Sequence, residues 1–461
     1  MSEAGGKSFR HVTPVSERAA RAWTTTYRAA IVLPIAGDPI HDGAVVVEHG
    51  RVAWVGRAGD EPSLNHARVV ELGNAALAPG LVNAHTHLDL TVMQGVLDGL
   101  SFFDWIRTLL ACRGELSQAQ VLDSARLGVI RGLEAGITTY ADTAPFEAPF
   151  LAMVELGVRG IAFLEVFGPD PSVATHNVGE LRERIRPLRD SATPLVGVGV
   201  SPHSPYSVSD DLYVAAAAFA RAEGLPIATH LAESADETDL VTAADGPFAR
   251  MLRSRNLVVT PRAASPVALL DRLGVLGPDV LLIHCVRCDA DDVASIARSG
   301  ASVATCPRSN RYFGHGCAPV SGLRGVGVRL GVGSDSMASN RSMDVMAEAR
   351  EALAGDPEAD AADHWRLATL GGAAALGLDS RVGTLEVGKE ADLAAFPIGA
   401  PGHRSAEYPS LAPDARACLV VVAGVERVRD GRVVGDPAAT IARATVAAQH
   451  LRQWRARETT A

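Results

Sequence analysis

The 461-residue chain contains no run of 18 or more apolar residues, so no membrane-spanning helix is expected. Its first 22 residues, "MSEAGGKSFRHVTPVSERAARA", lack the apolar segment of a secretory signal, and residues 1–24 are expected to form a disordered leader. Positive charge is not in excess. The formal net charge is −10, which argues against a nucleic-acid partner because phosphate binding wants a basic face. Cysteine is sparse: Cys112, Cys285, Cys288, Cys306, Cys317 and Cys418 are scattered through a long chain, unlike a disulfide scaffold, and point to a reducing cytoplasm. Cys285 and Cys288 form a C-x-x-C, but no second pair stands at zinc-site spacing and no thioredoxin-like context surrounds them. They read as two incidental thiols. A G-x-G-x-x-G turn is also missing after the first strand-like run, which disfavours an open doubly wound sheet.

What is present is core. With 47% hydrophobic and 21% charged residues, the chain can build one large domain or a large one with a smaller companion. From residue 81 onward a theme repeats: a short apolar, β-rich run, a polar or glycine-containing loop, then an alanine-rich amphipathic stretch. The runs fall at 81–90, 136–144, 158–167, 194–204, 225–234, 279–286, 301–310 and 328–336. Near-continuous apolar strands suit a parallel sheet covered on both faces. Eight strand–helix alternations predict an α/β fold, a closed (β/α)8 TIM-like barrel over residues 79–381. The flanks, 25–78 and 382–437, carry short alternating strands broken by turns. They are expected to pair into one composite β-sandwich, followed by a C-terminal helix over 438–461.

Apart from one strand-internal glutamate, the polar residues of interest close these strands. His85 and His87 end the first and His203 the fourth; His230 with Glu233 ends the fifth, His284 the sixth and Asp335 the eighth. In such a barrel those ends share one face, where catalytic residues gather. Residues two apart on a strand point the same way, so His85 and His87 can reach one ion. His230 and Asp335 then supply a nitrogen and an oxygen from across the barrel. Three neutral imidazoles and a carboxylate suit one divalent metal, zinc with iron as the alternative, and leave room for a water. An ion there would lower that water's pKa from ~15.7 towards ~7. Glu233, three residues after His230, is placed to carry a proton from water to a leaving group, work worth ~10²–10⁴ in rate. It could also simply open a helix in an acidic segment. His284 could be a buried core histidine or could orient the water. Residues 234–278, longer than a simple crossover needs, are the expected lid.

Together the segments "PGLVNAHTHL", "SPHSPYSVS", "ATHLAES", "LLIHC", "CPRSN", "LGVGSDSMASN" and "VGTLEVGKEADL" resemble the amidohydrolase superfamily, in its branch of mononuclear-metal deaminases and chlorohydrolases. The resemblance covers nearly all of residues 27–435. It implies His85, His87, His230 and Asp335 as metal ligands, Glu233 as proton shuttle and His284 as the residue that orients the water. Asp335 would also help to deprotonate it. Since His203 and not a lysine ends the fourth strand, a carbamate-bridged two-metal centre is not expected.

The implied activity is hydrolytic deamination of an amino-substituted N-heterocycle, an adenosine-type nucleoside such as aminodeoxyfutalosine, methylthioadenosine or S-adenosylhomocysteine. A triazine-type chlorohydrolase or aminohydrolase, or a guanine- or cytosine-type deaminase, is the alternative reading, and a non-catalytic binding protein the remote one. His203, Trp105, Glu115 and Ser336 are the implied substrate contacts. Glu115 departs from the branch's pattern: it stands one residue further from Trp105, and the accompanying proline is missing. The expected partner is a small heterocyclic molecule, with no nucleic acid and no membrane. A homo-oligomer is left open.

Overall fold

The computed structural model describes residues 24–63, 67–399 and 408–459. Residues 1–23 of the expected leader lie outside them. The N-terminal flank forms β1 (Thr25–Val32), β2 (Ile40–Glu48), β3 (Arg51–Arg57), β4 (Arg68–Glu71) and β5 (Ala75–Pro79). The barrel strands are β6 (Leu81–His87), β7 (Ile137–Ala144), β8 (Arg159–Val166), β9 (Val196–Pro202), β10 (Ile227–Leu231), β11 (Val280–His284), β12 (Ser302–Thr305), β13 (Leu330–Val332) and β14 (Asp335–Ser336). The C-terminal flank adds β15 (Leu393–Pro397), β16 (Leu419–Val422), β17 (Val425–Arg429) and β18 (Arg432–Val433).

The two flanks join in one curled sheet of order β18-β17-β16-β15-β5-β1-β2-β3, with β4 paired to β1. The junction is the antiparallel pair β5–β15, in which Ala78 faces Ala394. Irregularities at Val46/Val47 and Val420/Val421 bend the sheet, as bulges do. An isolated bridge between Arg51 and Glu390 ties the β3 edge to the segment that leads into β15. The fold-over encloses a core of its own, with Tyr27, Val45, Leu77, Leu393 and Val421.

In the second sheet, neighbours run in chain order from β6 to β13, all parallel, and β14 pairs back onto β6. This is a closed barrel. The sequence reads 328–336 as one strand, whereas the structure breaks it into β13 and β14 at Gly333 and Ser334. Two causes are local. A Cβ on Gly333 would lie 2.6 Å from the His85 carbonyl oxygen and 2.7 Å from its Cβ, so only glycine lets the eighth strand approach the first this closely. The Ser334 N–H donates to the Asn83 side chain (2.9 Å) and not to a ladder partner.

Helices cover the C-terminal ends of the strands. Phe102–Gly114 follows the first strand and is capped by Ser101, whose hydroxyl accepts from the Asp104 N–H. The long 234–278 segment folds as three helices, Ala235–Ala243, Gly246–Ser254 and Pro266–Arg272. The last helix, Ala438–Glu458, buries Ala444, Ala447, Leu451 and Trp454. That helical-period stripe packs with Leu90, Met93, Leu97 and Trp105, next to the first strand's end. No described helix is long and apolar enough to cross a membrane.

Barrel and flanking sheet are also joined by charge. Arg159, at the start of β8, is 1% exposed. Its Nε donates to Asp392 Oδ2 (2.8 Å), and its Nη2 to Asp392 Oδ1 (2.9 Å) and Glu390 Oε2 (2.7 Å). Breaking a buried pair of this kind strands the remaining charge, at about 3–5 kcal/mol. Arg159→Met is therefore expected to lower the denaturant midpoint by a shift of that order, with the metal content of the remaining folded fraction unchanged.

Candidate active site

Backbone geometry sets the site before any side chain does. Ala232, His284, Cys285 and Asp335 all adopt positive φ (52°, 74°, 49° and 54°). Non-glycine residues in this region cluster at functional sites, where surrounding bonds over-determine the conformation. Glu237 supplies such bonds: its buried carboxylate accepts from the backbone N–H groups of Ala232 (2.8 Å) and Glu233 (3.0 Å). The Asn83–Ser334 contacts and an Asn340 Nδ2 bond to the Ser334 carbonyl (2.8 Å) do the same before Asp335.

His85, His87 and His230 offer ring nitrogens that all lie within 4.8 Å of one another. Asp335 Oδ1 stands 3.5 Å from His85 Nε2 and 3.6 Å from His87 Nε2. The Nε2 atoms of His87 and His230 face each other at 3.3 Å. The other nitrogens of these two rings already have partners: His87 Nδ1 contacts Thr143 Oγ1 (3.4 Å), and His230 Nδ1 contacts the His203 carbonyl (3.2 Å). A carbonyl can only accept, so His230 carries its proton on Nδ1 and turns its Nε2 lone pair inward. His85 is fully buried, and neither of its ring nitrogens has a hydrogen-bond partner. Orphaned buried nitrogens converging on a carboxylate fit a divalent cation, since each neutral imidazole has one lone pair to offer and the carboxylate supplies the charge.

Electrostatics agree. Burial pushes the His85 imidazole down to about 4, and burial with the surrounding histidines holds His230 well below the usual range. Both are neutral, as ligation requires. Burial opposes the charge on Asp335, but the imidazoles of His85, His284 and His87 hold it well below the usual carboxylate range. Its second oxygen accepts from the hydroxyls of Ser309 (2.5 Å) and Ser339 (3.1 Å).

Glu233 and His284 lie beside this set. Glu233 Oε1 is 3.6 Å from His284 Nε2, and Asn310 Oδ1 accepts from His284 Nδ1 at 2.9 Å, leaving Nε2 as the free lone pair. Burial, then the charges of Asp335 and Glu237, raises the Glu233 carboxyl well above its ordinary value. The same burial favours its neutral, proton-bearing form over the carboxylate. The CPRSN segment thus acts from outside the metal site: Ser309 holds Asp335, and Asn310 holds His284.

Above the set lies a cavity of about 270 Å³. Its inner end is lined by His87, His203, His230, Glu233, His284 and Asp335; its walls include Phe102, Trp105, Tyr206, Phe248 and Phe313. Tyr206 and Phe248 stack at 4.1 Å, so the helices of the 234–278 segment form part of the wall. Trp105 Nε1 is buried without a partner. His203 donates or accepts through Nδ1 to Ser207 (2.7 Å), while its Nε2 lies 4.0 Å from Glu165 Oε1.

The structure does not bring two other residues there. Glu115 is the C-cap of the Phe102–Gly114 helix and points to the C-terminal helix, its Oε2 lying 3.6 Å from His450 Nε2. Ser336 is buried behind the loop, its hydroxyl 3.0 Å from that of Ser339, and does not line the cavity. Sequence reasoning missed Glu165, the strand-internal glutamate of β8. It lines the cavity with Oε1 unpartnered, and burial raises it to about 6 against the pull of His87 and Arg113. Its position late in an apolar strand was the available signal.

A closed barrel that gathers three imidazoles and a carboxylate at its strand ends defines the class of metal-dependent barrel hydrolases. The amidohydrolase family model matches residues 76–433, and the chain belongs to that family. It is a hydrolase acting on carbon–nitrogen bonds. It is 31% identical over 424 residues to a 5-methylthioadenosine/S-adenosylhomocysteine deaminase of Symbiobacterium thermophilum, covering 87% of this chain and 91% of that one. A Moorella thermoacetica protein of the same name is 32% identical over 374 residues, 78% of this chain and 83% of that one. Among solved structures, an adenosine deaminase from Xanthomonas campestris with bound zinc superposes with a TM-score of 0.81 at 27% identity, covering 93% of this chain and 98% of that chain. The Helicobacter pylori aminofutalosine deaminase shares the fold, with a TM-score of 0.77 at 20% identity over 87% and 99% of the two chains.

Chelation followed by gel filtration is expected to give metal-free protein that takes up one divalent ion per chain. His85→Ala, His230→Ala and Asp335→Ala should each lower that stoichiometry in elemental analysis. Glu115→Ala should leave it unchanged.

Proposed function

We propose that the chain hydrolyses the exocyclic amine from an adenosine-type nucleoside, with His85, His87, His230 and Asp335 holding one zinc ion and Glu233 moving the protons. The observation that carries this is a buried Glu233 beside a four-donor set, lining the same aromatic cavity. The bound ion supplies Lewis-acid activation of the attacking water.

The chain's own residues do the rest. Trp105, Tyr206, Phe248 and Phe313 hold a flat heterocycle and exclude water from the amidine carbon. Glu233 donates its proton to the ring nitrogen next to that carbon as a C–O bond forms. It then takes a proton from the water and delivers it to the amino group; the C–N bond breaks and ammonia leaves. The second water proton resets Glu233 as the ring carbonyl forms. His284 and Asp335 orient the water and relay that proton.

The cavity lining beyond the four-donor set bears on which nucleoside. His203 Nε2 and Glu165 are free to meet hydroxyl groups of a sugar, and the exposed guanidinium groups of Arg107 and Arg255 stand at the cavity's rim. That order favours a substrate whose distal substituent carries an anion, such as the carboxylate of aminodeoxyfutalosine or S-adenosylhomocysteine, over neutral methylthioadenosine.

Ammonia release by zinc-loaded protein across adenosine, methylthioadenosine, S-adenosylhomocysteine, aminodeoxyfutalosine, guanine and cytosine tests this. The nucleosides with carboxylates should lead in kcat/KM; chloride from a chlorotriazine without ammonia from any nucleoside would overturn the reading. Glu233→Gln should cost ~10²–10⁴ in kcat, the usual worth of a positioned acid–base group. Arg107→Glu and Arg255→Glu should each raise KM roughly two- to fivefold for the anionic substrates, the effect of an exposed charge pair, and leave methylthioadenosine unaffected.

A further inference from the structure

One buried imidazole beside the cavity has no part in the chemistry described so far. His315 follows the Pro307–Phe313 helix, the same helix that supplies Ser309 and Asn310. Its ring is wedged between Phe102 (4.7 Å between centroids, edge-on) and Phe313 (5.3 Å, nearly parallel). Its Nε2 is buried without a hydrogen-bond partner, 3.8 Å from Glu233 Oε1. The ring is not among the residues lining the cavity, so Nε2 addresses the glutamate and not a bound substrate.

Glu233 Oε1 therefore has an imidazole Nε2 on each side, His284 at 3.6 Å and His315 at 3.8 Å. These differ in what they can offer. His284 Nδ1 is committed as a donor to Asn310, so His284 Nε2 presents a lone pair. His315 has no such commitment among the described contacts and can carry its proton on Nε2. Both distances exceed a formed hydrogen bond, and contacts of this kind shorten when substrate closes the site.

We propose that His315 is a positioning residue for Glu233: its Nε2–H donates to Glu233 Oε1, fixes the carboxyl rotamer, and leaves the acidic proton on Oε2, facing the substrate's ring nitrogen. A carboxyl that carries one proton cannot direct it from both oxygens. Occupying Oε1 with a donor settles which oxygen acts and removes the alternative in which Glu233 spends its proton on the His284 lone pair. The aromatic walls supply the rigidity: with Phe102 on its edge and Phe313 against its face, the imidazole has no room to turn away. This rests on the reading of Glu233 as the proton carrier.

The test compares His315→Phe, His315→Leu and His315→Gln in the zinc-loaded enzyme, with Glu233→Gln as reference. Phe keeps the ring's shape without the donor; Gln places an amide N–H where Nε2 stood. The expected result is a kcat lower by about 10–100-fold in His315→Phe and His315→Leu, the usual cost of losing such a supporting contact. KM should stay within about twofold and metal content be unchanged, and His315→Gln should recover most of kcat. In the Glu233→Gln background His315→Phe should add nothing, because the two groups act as one unit.

Full rate in a folded donorless variant, or equal loss in His315→Phe and His315→Gln, would overturn the role of His315. So would a rise in KM at unchanged kcat, which would make His315 a substrate contact. Should His315→Phe not fold, His315→Leu set against His315→Gln gives the same decision. Full rate in Glu233→Gln would instead overturn the reading of Glu233, so the two failures are distinguishable.

Discussion

The eighth barrel strand can close onto the first only because Gly333 has no side chain to place against His85. Everything at the metal centre depends on that approach. It puts Asp335 in register with Thr86, and Ser336 with His87, so that a carboxylate and two imidazoles from opposite ends of the barrel sequence become neighbours. A Cβ at this point would push the strands apart by more than about 0.5 Å, the tolerance of a preorganised site. The break between β13 and β14 is part of the same solution: the backbone groups of Ser334 are taken up by Asn83 and Asn340, and Asp335 follows at positive φ.

The rest of the site is arranged to make a costly burial stable. Three imidazoles and several carboxyls lie in a volume from which water is largely excluded, which penalises every charge. Four of these groups are backed by neutral hydrogen-bonding partners: Thr143 for His87, the His203 carbonyl for His230, Asn310 for His284, and Ser309 with Ser339 for Asp335. The same burial that opposes charge lowers the imidazoles of His85 and His230 and raises the carboxyl of Glu233. Desolvation thus assigns different roles to like groups according to their neighbours. Phe102, Phe248 and Phe313 extend that dry environment outward, which strengthens every contact made inside it.

Much of this was legible in the chain because strand periodicity and strand order constrain where side chains go. His85 and His87 share a face by their spacing, and eight apolar runs at regular intervals imply a barrel whose strand ends converge. Hence His230, Glu233, His284 and Asp335 could be expected on one face, and the structure places them there. Loop and helix residues were harder. Glu115 has the right chemistry and is close in sequence to Trp105, but the turn at the end of its helix aims it at His450. Glu165 looked like a strand-interior residue, yet it lies far enough along β8 to reach His203. His315 carries no spacing signal at all; it becomes visible only when the Pro307–Phe313 helix folds back over Glu233.

The sequence by itself determined the architecture and which histidines and carboxyls share one barrel face, since each follows from local periodicity and from the rule that barrel strand ends meet. Only the tertiary structure decided which oxygen of Glu233 faces which imidazole, which aromatic rings wall the cavity, and which charges stand at its rim. Those depend on how helices from three separate connections pack over the strand ends. Their side-chain directions are set by long-range contacts and closures that no local pattern encodes.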